Sequence, residues 1–395
     1  MKLALVIFAF LLALPLTSAA HYIIGIVNNA KDSTPANEHT VVLWNPAIGI
    51  QDNQTDIIGV NGNSGTDNIY MIDCEMLNSP CNVEDILKVK VIDNGDSYIS
   101  SEVSVAVTGA GYDLADNLTL NSPPNITSLS VDDSIPSPEN EIDLTPASKT
   151  NVFCEAVVKD FDGEDSIGNI TSVFFGISSS NLSASDDNNN HYTNSSCFVN
   201  KSYGDSNELK ATCGFEVWYY ANNADWKCEV TLTDNLSVSN NSDSTYVNPL
   251  LALGIDSLIN YTGVVNNNVS NESIVNITNF GNIIINLSLV GYGVTEGDNL
   301  AMFCNSTNSK NISVEYEKYN LTSSNPGAME LPEFEAKYTN LTSAALTREI
   351  NLNYRQEDSV NDAIISTGWR IYVPSGVGGS CSGNIIFGAR QGAGS

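Results

Sequence analysis

The sequence contains few basic residues. Lysine and arginine together number 16 against 46 acidic residues, so the formal net charge is −30. Because each contact to a phosphate group needs a lysine or arginine, this balance excludes binding of nucleic acid, or of an anionic membrane surface, through a basic patch. Hydrophobic residues still make up 42% of the chain, which indicates a folded protein with a core rather than an acidic disordered tail.

Residues that usually carry catalysis are also scarce. His21, His39 and His191 are the only histidines, and neither a Cys-x-x-Cys pair nor a Gly-x-Ser-x-Gly nucleophile sequence occurs. Such a chain offers few pairs of nucleophile and base. We therefore predict no catalytic residue and no enzymatic activity, and a secreted enzyme acting on polysaccharide is the least favoured function.

Long apolar runs are absent except at the start of the chain. Lys2 precedes an apolar run over 3–14, and small residues follow up to Ala20. This pattern is typical of a secretory signal peptide, and the run is shorter than the ~20 residues that span a bilayer. We predict cleavage after residue 20, a mature chain that begins at His21 without a transmembrane segment, and a secreted or extracellular cell-surface location.

Asparagine, serine and threonine are abundant, with 50, 45 and 25 residues. These residues favour turns, caps and strand edges over helix interiors. Short segments of alternating hydrophobicity separated by turn signals run through the whole chain, which predicts an all-β protein. We expect three tandem antiparallel β-sandwich modules after the signal peptide (1–20), at 21–121, 122–247 and 248–395.

Eight cysteines in an exported chain predict four disulfides, although 105 pairings are formally open. Cys74 and Cys81 flank a short loop that one disulfide would close. The other cysteines are Cys154, Cys197, Cys213, Cys228, Cys304 and Cys381.

The first segment contains the opening "HYIIGIV", a strand at "HTVVLW", and two further predicted strands on either side of an Asn94-Gly95 turn. In this order the motifs resemble the carboxypeptidase-regulatory-like, prealbumin-like β-sandwich modules of exported proteins. The resemblance implies a non-catalytic spacer or carrier module.

The second segment places Cys154 on an early strand, in "NVFCEAVV", and Cys228 on a late strand, in "DWKCEVTL". It resembles the immunoglobulin-like modules of bacterial and archaeal surface proteins, which implies a disulfide between these two cysteines across the two sheets. Cys197 and Cys213 would then join the Asn-rich insertion before Cys197 to the strand predicted to run to Tyr220.

The third segment has strands around Asn279-Phe280-Gly281, and its end, "PSGVGGSCSGNIIF", resembles the final hairpin of cell-surface sandwiches. In this comparison Cys381 stands where an aromatic residue is common, which implies a bridge to Cys304 across the core. Taken together, the mature chain resembles a modular archaeal or bacterial cell-surface glycoprotein.

Asn-x-Ser/Thr sequons occur 18 times, against roughly nine expected from composition. This excess indicates a glycoprotein in a host that glycosylates, although an Asn-rich composition also creates idle sequons. Asn286 lies within an apolar strand and is expected to stay unmodified. The candidate glycosylation sites are Asn117, Asn125, Asn169, Asn194, Asn235, Asn305 and Asn340.

Two metal hypotheses arise from the residues. Asp160, Asp162 and Asp165 alternate on a glycine-containing loop, an arrangement in which carboxylates can converge on a structural calcium ion. The alternative is an ordinary solvated turn. His21 at a new N-terminus raises the hypothesis of a copper brace with a second histidine, but a first strand explains His21 without metal. We predict no other cofactor.

These patterns favour a non-catalytic structural or interaction component of a cell envelope or surface array. Its partners would be other cell-surface proteins, glycans or further copies of the chain. The alternative is an adhesin or carbohydrate-binding protein. Within the aromatic run Trp218-Tyr219-Tyr220, strand alternation points at least one ring outward, where it would stack on a sugar or a partner. The favoured alternative is that one face of the run packs in the core.

Overall fold

A computed structural model describes residues 19–134, 140–234, 236–255, 258–358 and 363–393. The predicted signal peptide lies almost wholly outside these residues. Within them the chain forms 29 β-strands, three short 3₁₀ helices and a single α-helix. This confirms the predicted all-β class of tandem, mainly antiparallel β-sandwich modules. Among the described residues, no helix is both long and apolar enough to cross a membrane.

The first group of strands forms two four-stranded sheets, one with the order β4-β1-β7 and β8 also beside β1, and one with the order β3-β2-β5-β6. The strand β1 pairs antiparallel with β4 but parallel with β7 and β8, so this sheet is mixed. The bounds are β1 Tyr22–Asn28, β2 Thr40–Trp44, β3 Asn53–Ile57, β4 Ile69–Asp73, β5 Ile86–Ile92, β6 Val103–Ala106, β7 Tyr112–Leu114 and β8 Leu118–Thr119. A 3₁₀ helix covers Cys74–Met76.

The two strands predicted on either side of Asn94-Gly95 are present as β5 and β6. Strands β5 and β6 do pair, but Val89 lies opposite Val103, so a long loop separates them. Within that loop the Asp93 carboxylate accepts hydrogen bonds from the backbone of Gly95 and Ser97. The side chain of Asp93 thus builds a local turn that does not join the two strands directly.

The second group forms a five-stranded sheet with the order β10-β17-β16-β12-β13 and a four-stranded sheet with the order β14-β15-β11-β9. The alternating residues of β11 and β16 that face the core are fully buried, as predicted. The bounds are β9 Asn125–Asp133, β10 Glu141–Ile142, β11 Lys149–Lys159, β12 Ile167–Gly176, β13 His191–Asn194, β14 Phe198–Asn200, β15 Glu208–Trp218, β16 Asp225–Asp234 and β17 Val238–Val247. A 3₁₀ helix covers Glu164–Ser166.

The third group forms a six-stranded sheet with the order β18-β20-β27-β24-β25, in which β19 also pairs with β27, and two three-stranded sheets, β26-β21-β29 and β23-β22-β28. A 3₁₀ helix covers Val314–Tyr316, and the helix α1 covers Leu331–Lys337 with Pro332 in its first turn. The strand bounds are β18 Leu253–Ile255, β19 Asn268–Val269, β20 Ser273–Asn279, β21 Ile285–Tyr292, β22 Leu300–Cys304, β23 Ile312–Ser313, β24 Glu317–Asn320, β25 Thr339–Asn340, β26 Leu346–Leu352, β27 Ile364–Val373, β28 Cys381–Ser382 and β29 Asn384–Gln391.

The expected final hairpin is wrong. Strands β27 and β29 lie in different sheets, because β29 pairs with β21 over its whole length while β27 lies between β20 and β24. The glycine-rich segment between them therefore crosses from one sheet to another, with the short strand β28 beside β22 on the way. Because part of this segment pairs with β22, it does not form a direct hairpin connection between β27 and β29.

Buried apolar side chains form four clusters. One lies within 23–120, one within 126–250, and two lie within 253–387. The module boundaries inferred from the sequence remain a prediction, and these ranges support them. The structure contains four disulfides, Cys74–Cys81, Cys154–Cys228, Cys197–Cys213 and Cys304–Cys381.

Two of the disulfides differ in their position relative to the core. Cys154 and Cys228 lie on strands of opposing sheets, β11 and β16, and both are fully buried, so their bridge crosses the core. Cys304 and Cys381 instead lie directly opposite each other on the adjacent strands β22 and β28. The expectation that this second bridge would cross the core is therefore wrong.

Candidate functional site

The three histidines are held by three different aspartates. The ring nitrogen Nε2 of His21 lies 2.7 Å from the Asp113 carboxylate. The ring of His39 contacts Asp96 at 3.0 Å, and that of His191 contacts Asp186 at 3.2 Å. Burial alone would raise the pKa of the Asp113 carboxyl, but hydrogen bonds from Thr108 and His21 lower it below its usual value.

These contacts do not assemble a copper brace. Each histidine has its own carboxylate partner in a separate place, and the backbone nitrogen of His21 donates to Asp73. Among the residues that the structure describes, no group of three or more His, Cys, Asp or Glu side chains is arranged to hold a metal ion. The histidines are thus part of the local polar packing.

The three carboxylates of the predicted calcium loop have three different environments. Asp160 is fully buried and accepts hydrogen bonds from the backbone of Asp162 and the hydroxyl of Ser166. Burial raises its pKa, and the nearby Asp162 and Asp234 carboxylates add to the effect. Asp165 points to solvent and pairs with Lys201 at 2.6 Å. The loop therefore does not bring the three side chains onto one cation.

Asp162 instead links this loop to the first group of strands. Its Oδ1 lies 3.6 Å from Nζ of Lys31, which belongs to the first group. Its Oδ2 accepts a hydrogen bond of 2.6 Å from the backbone nitrogen of Ser122, the first residue of the predicted second module. Nearby, the side chain of Asn121 donates to Asp234 at 2.9 Å. The acidic loop is thus the place where the predicted first and second modules are joined.

The predicted second and third modules meet around the aromatic run. Tyr219 and Tyr220 follow the end of β15, and both are buried. The ring of Tyr219 packs edge to face on Phe280 at 5.8 Å, and the guanidinium of Arg355 lies 4.7 Å from the centre of the Tyr220 ring. The strand predicted to run to Tyr220 ends at Trp218, two residues earlier. Both tyrosine rings pack into this junction, and neither is free to stack on a sugar.

Side-chain amides complete the same junction. Asn282 is fully buried, and its Nδ2 donates to the backbone oxygens of Ala221 and Asn248 at 2.9 and 3.1 Å. Its Oδ1 accepts from the backbone nitrogen of Leu250 at 2.6 Å. Asn189 likewise donates to the backbone of Arg355 at 2.9 Å. Buried hydrogen bonds of this kind fix the relative position of the two segments.

Arg370 is a second centre of buried polar contacts, on β27. Its guanidinium is fully buried and donates to the backbone oxygens of Ser270 and Gly327 and to the hydroxyl of Tyr338. The hydroxyl of Tyr338 donates in turn to Glu272 at 2.5 Å. These contacts fasten the long connections around α1 to the six-stranded sheet.

A buried carboxyl lies on the floor of a groove in the last group of strands. Glu317 is 3% exposed and accepts a hydrogen bond of 2.9 Å from the hydroxyl of Tyr261. Burial raises the pKa of Glu317 to about 7, while the hydrogen bond from Tyr261 lowers it by less. The groove beside it, about 280 Å³, is lined mainly by apolar side chains such as Leu258 and Phe387.

The predicted glycosylation sites lie mainly at the surface. Asn194 is half-buried, and Asn235 lies outside the described residues. Asn286 is 7% exposed, and its Oδ1 accepts from the backbone nitrogens of Ile350 and Asn351. The exposed members are Asn117, Asn125, Asn169, Asn305 and Asn340.

The sequence reasoning missed the residues that join the segments, namely Asp162 as a junction residue, Asn282 and Arg355. A partial signal was present in the turn sequence "NFGN", which ends at Asn282. A side chain at Gly281 would clash with the backbone oxygen of Leu250, so this turn requires glycine. No local sequence pattern indicates the role of Arg355, because its partner Tyr220 lies far away in the sequence.

Comparisons with known proteins find only distant matches among solved structures. No family model matches the sequence, and no curated protein matches it. Among solved structures, the BcpA major pilin subunit of Bacillus cereus is 8% identical, with 83% of this chain and 94% of that chain covered and a TM-score of 0.26. The T6 backbone pilin of Streptococcus pyogenes is 8% identical, with 94% and 80% covered and a TM-score of 0.26.

A three-domain immunoglobulin segment of titin is also 8% identical, with 93% of this chain and 95% of that chain covered and a TM-score of 0.26. Scores of this size carry no argument about function. The architecture itself defines the class, a protein of tandem β-sandwich modules joined by buried polar contacts.

Proposed function

We propose that this chain is a non-catalytic, exported structural or interaction glycoprotein of the cell surface, a component of a cell envelope or surface array. In this proposal the signal peptide directs export, and three modules at 21–121, 122–247 and 248–395 form the mature protein. The chain acts by holding its surfaces in place, and its partners are other surface proteins, glycans or further copies.

The observation that carries the proposal is the combination of disulfides and fastened junctions. All eight cysteines are bonded, which suits an oxidising compartment outside the cytoplasm. At both junctions the contacts are specific hydrogen bonds, from Asn121 to Asp234 and from Asn282 to Ala221. Rigid connection of modules is what a structural component needs, whereas a catalytic protein would need a convergent set of reactive groups.

Labelling of the native cells tests this proposal. An antibody against the chain should label intact cells, and the chain extracted under denaturing conditions without reductant should show no free thiol. Labelling that requires permeabilised cells, together with reduced cysteines, would place the protein inside the cell and reject the proposal. An antibody against a cytoplasmic protein of the same cells serves as the control for cell integrity.

A further inference from the structure

One face of the first group of strands is apolar and open. On the sheet β4-β1-β7 the side chains that point away from the core form what we call the outer β1 face. Leu114, Tyr112 and Ile26 are 70%, 55% and 44% exposed. Its central side chains are Ile24, Ile26, Ile69, Met71, Tyr112 and Leu114, while Tyr22, Asn28 and Asp73 lie on the same side at the strand ends.

Strand pairing makes these side chains neighbours. In the antiparallel pair, Ile24 lies opposite Met71 and Ile26 lies opposite Ile69. In the parallel pair, Ile24 lies beside Leu114. Residues directly opposite each other on one face of a sheet are in contact distance, so the six side chains form one continuous patch.

Such a face is unusual for a sheet with one side in solvent. The opposite side of the same strands already supplies the core, through Ile23, Tyr70 and Ile72. A solvated side normally carries polar residues, as β15 does in this protein with Glu208 and Lys210. A continuous apolar patch on an exposed face typically marks an interaction surface.

The segments that supply the outer β1 face contain acidic residues but no lysine or arginine. They are 21–30, 66–76 and 108–120, which include the three strands and their flanks. Acidic residues stand at the strand ends, among them Asp67 and Asp73. A partner that carries basic residues beside an apolar stripe is therefore complementary to this face. A second copy would instead bring acidic residues and a negative net charge, which would repel it.

The size of the face fits one segment rather than a whole domain. Three strands at about 4.8 Å spacing and about five residues in length cover far less than the ~800 Å² per partner of a standard interface. An amphipathic segment with apolar residues on one side fits that area. We propose that the outer β1 face binds a basic amphipathic segment of another protein, which rests on the proposed function and specifies the kind of partner.

Titration with model peptides tests the proposal. The probe is a fluorescent amphipathic peptide of leucine and lysine, about four helical turns long, and its control has glutamate in place of each lysine. Fluorescence anisotropy should show binding of the lysine peptide to the purified chain and no binding of the glutamate peptide. The double variant Ile26→Ser, Leu114→Ser should bind at least about tenfold more weakly, because it keeps every charge but loses apolar contact area.

The matched control is Phe198→Ser, which removes an apolar side chain that is 72% exposed on β14, away from this face. It should bind the lysine peptide as the unchanged chain does. Unchanged melting temperatures would show that both variants are folded. If the double variant bound the lysine peptide as tightly as Phe198→Ser, binding would rest on net charge alone and the proposal would be rejected.

Two other outcomes would also reject it. If sedimentation showed that the unchanged chain pairs and that only the double variant is monomeric, the occupant of this face would be a second copy. Binding to phosphatidylcholine vesicles that the double variant loses would assign the face to lipid. Surface labelling of cells is independent of these results. A chain that is found at the surface but does not bind the lysine peptide would contradict this inference and leave the proposed function intact.

Discussion

The hydroxyl of Tyr261 donates a hydrogen bond of 2.9 Å to the carboxyl of Glu317, and this carboxyl is almost completely removed from water. Tyr261 belongs to the segment that connects β18 to β19, while Glu317 begins β24. The pair therefore fastens a connection without regular structure to the six-stranded sheet. Since the carboxyl is more stable uncharged in this place, the strength of the attachment depends on pH.

We expect Glu317 to reduce stability as the pH rises. Its pKa in the folded protein, about 7, lies above the ordinary value of 4.5, so the folded state holds the proton more tightly than the unfolded state. Ionisation of buried Glu317 lowers the free energy of unfolding. This loss is absent below about pH 4.5, grows between pH 4.5 and 7, and reaches about 3 kcal/mol above that range. Glu317→Gln cannot ionise, so its unfolding free energy relative to the unchanged chain should rise over the same interval.

Denaturant unfolding at pH 4.5 and pH 8 measures this difference. Glu315→Gln is the control, because Glu315 lies two residues away and is exposed. If the difference in unfolding free energy between Glu317→Gln and the unchanged chain were the same at both pH values, the carboxyl would titrate normally and this prediction would be wrong.

Removal of the Asn282 side chain should loosen the junction between the predicted second and third modules. Asn282→Ala leaves the backbone groups of Ala221, Asn248 and Leu250 without their partner, and an unsatisfied buried group costs about 1–3 kcal/mol. We expect a loss of at least about 2 kcal/mol and faster proteolysis near the junction. Asn266→Ala, at an exposed position, should change neither quantity.

The four disulfides should differ in their contribution to stability. Cys154 and Cys228 are separated by 74 residues, and Cys74 and Cys81 by 7. In the loop-entropy description the longer loop contributes about 4–5 kcal/mol and the shorter one about 2–3 kcal/mol. Double alanine variants compared by unfolding should show the larger loss for the first pair, and equal losses would argue against loop entropy as the main cause.

Calcium should have no effect on the melting temperature. Asp160, Asp162 and Asp165 already contact Ser166, Ser122 and Lys201, so a cation would have to displace protein contacts that differ for each carboxylate. Thermal melting with added calcium and with a chelator measures this. A rise of several degrees with calcium, lost in Asp162→Asn, would restore the calcium site that the sequence suggests.

Glycan attachment should follow exposure of the sequon. Asn286 uses its side-chain oxygen inside the sheet and is nearly inaccessible, whereas Asn117 and Asn305 are exposed. Glycopeptide mass spectrometry of protein from a glycosylating host should therefore find Asn117 and Asn305 modified and Asn286 unmodified. Modification at Asn286 would mean that the sequon is glycosylated before its strand is formed.

Strict alternation made part of the fold predictable from the sequence. In β16 the polar residues Lys227 and Glu229 alternate with the buried Trp226, Cys228 and Val230. Period-two hydrophobicity therefore identifies both this strand and its core face. The opening strand gives less information, because Ile23 and Ile24 are both apolar although only Ile23 faces the core. This absence of alternation was the available signal for the outer β1 face.

The junctions could not be predicted for a different reason. Tyr220 and Arg355 are far apart in the sequence, and neither residue stands in a pattern that names a partner. Their meeting depends on how the modules are placed, which local periodicity does not determine. The same holds for Asp162, whose position in a typical acidic turn gives no indication of its contact with Lys31.

The parallel pairing of β1 has a consequence for the order in which the chain is made. Tyr22 lies beside Tyr112, and Val27 lies beside Leu118, so β1 is completed by strands that follow it by about 90 residues. Until those residues emerge, one edge of β1 has no strand to pair with. The first module thus reaches its final form only when nearly all of it has been synthesised, and a chaperone that shields β1 in that interval would act before the protein meets any partner.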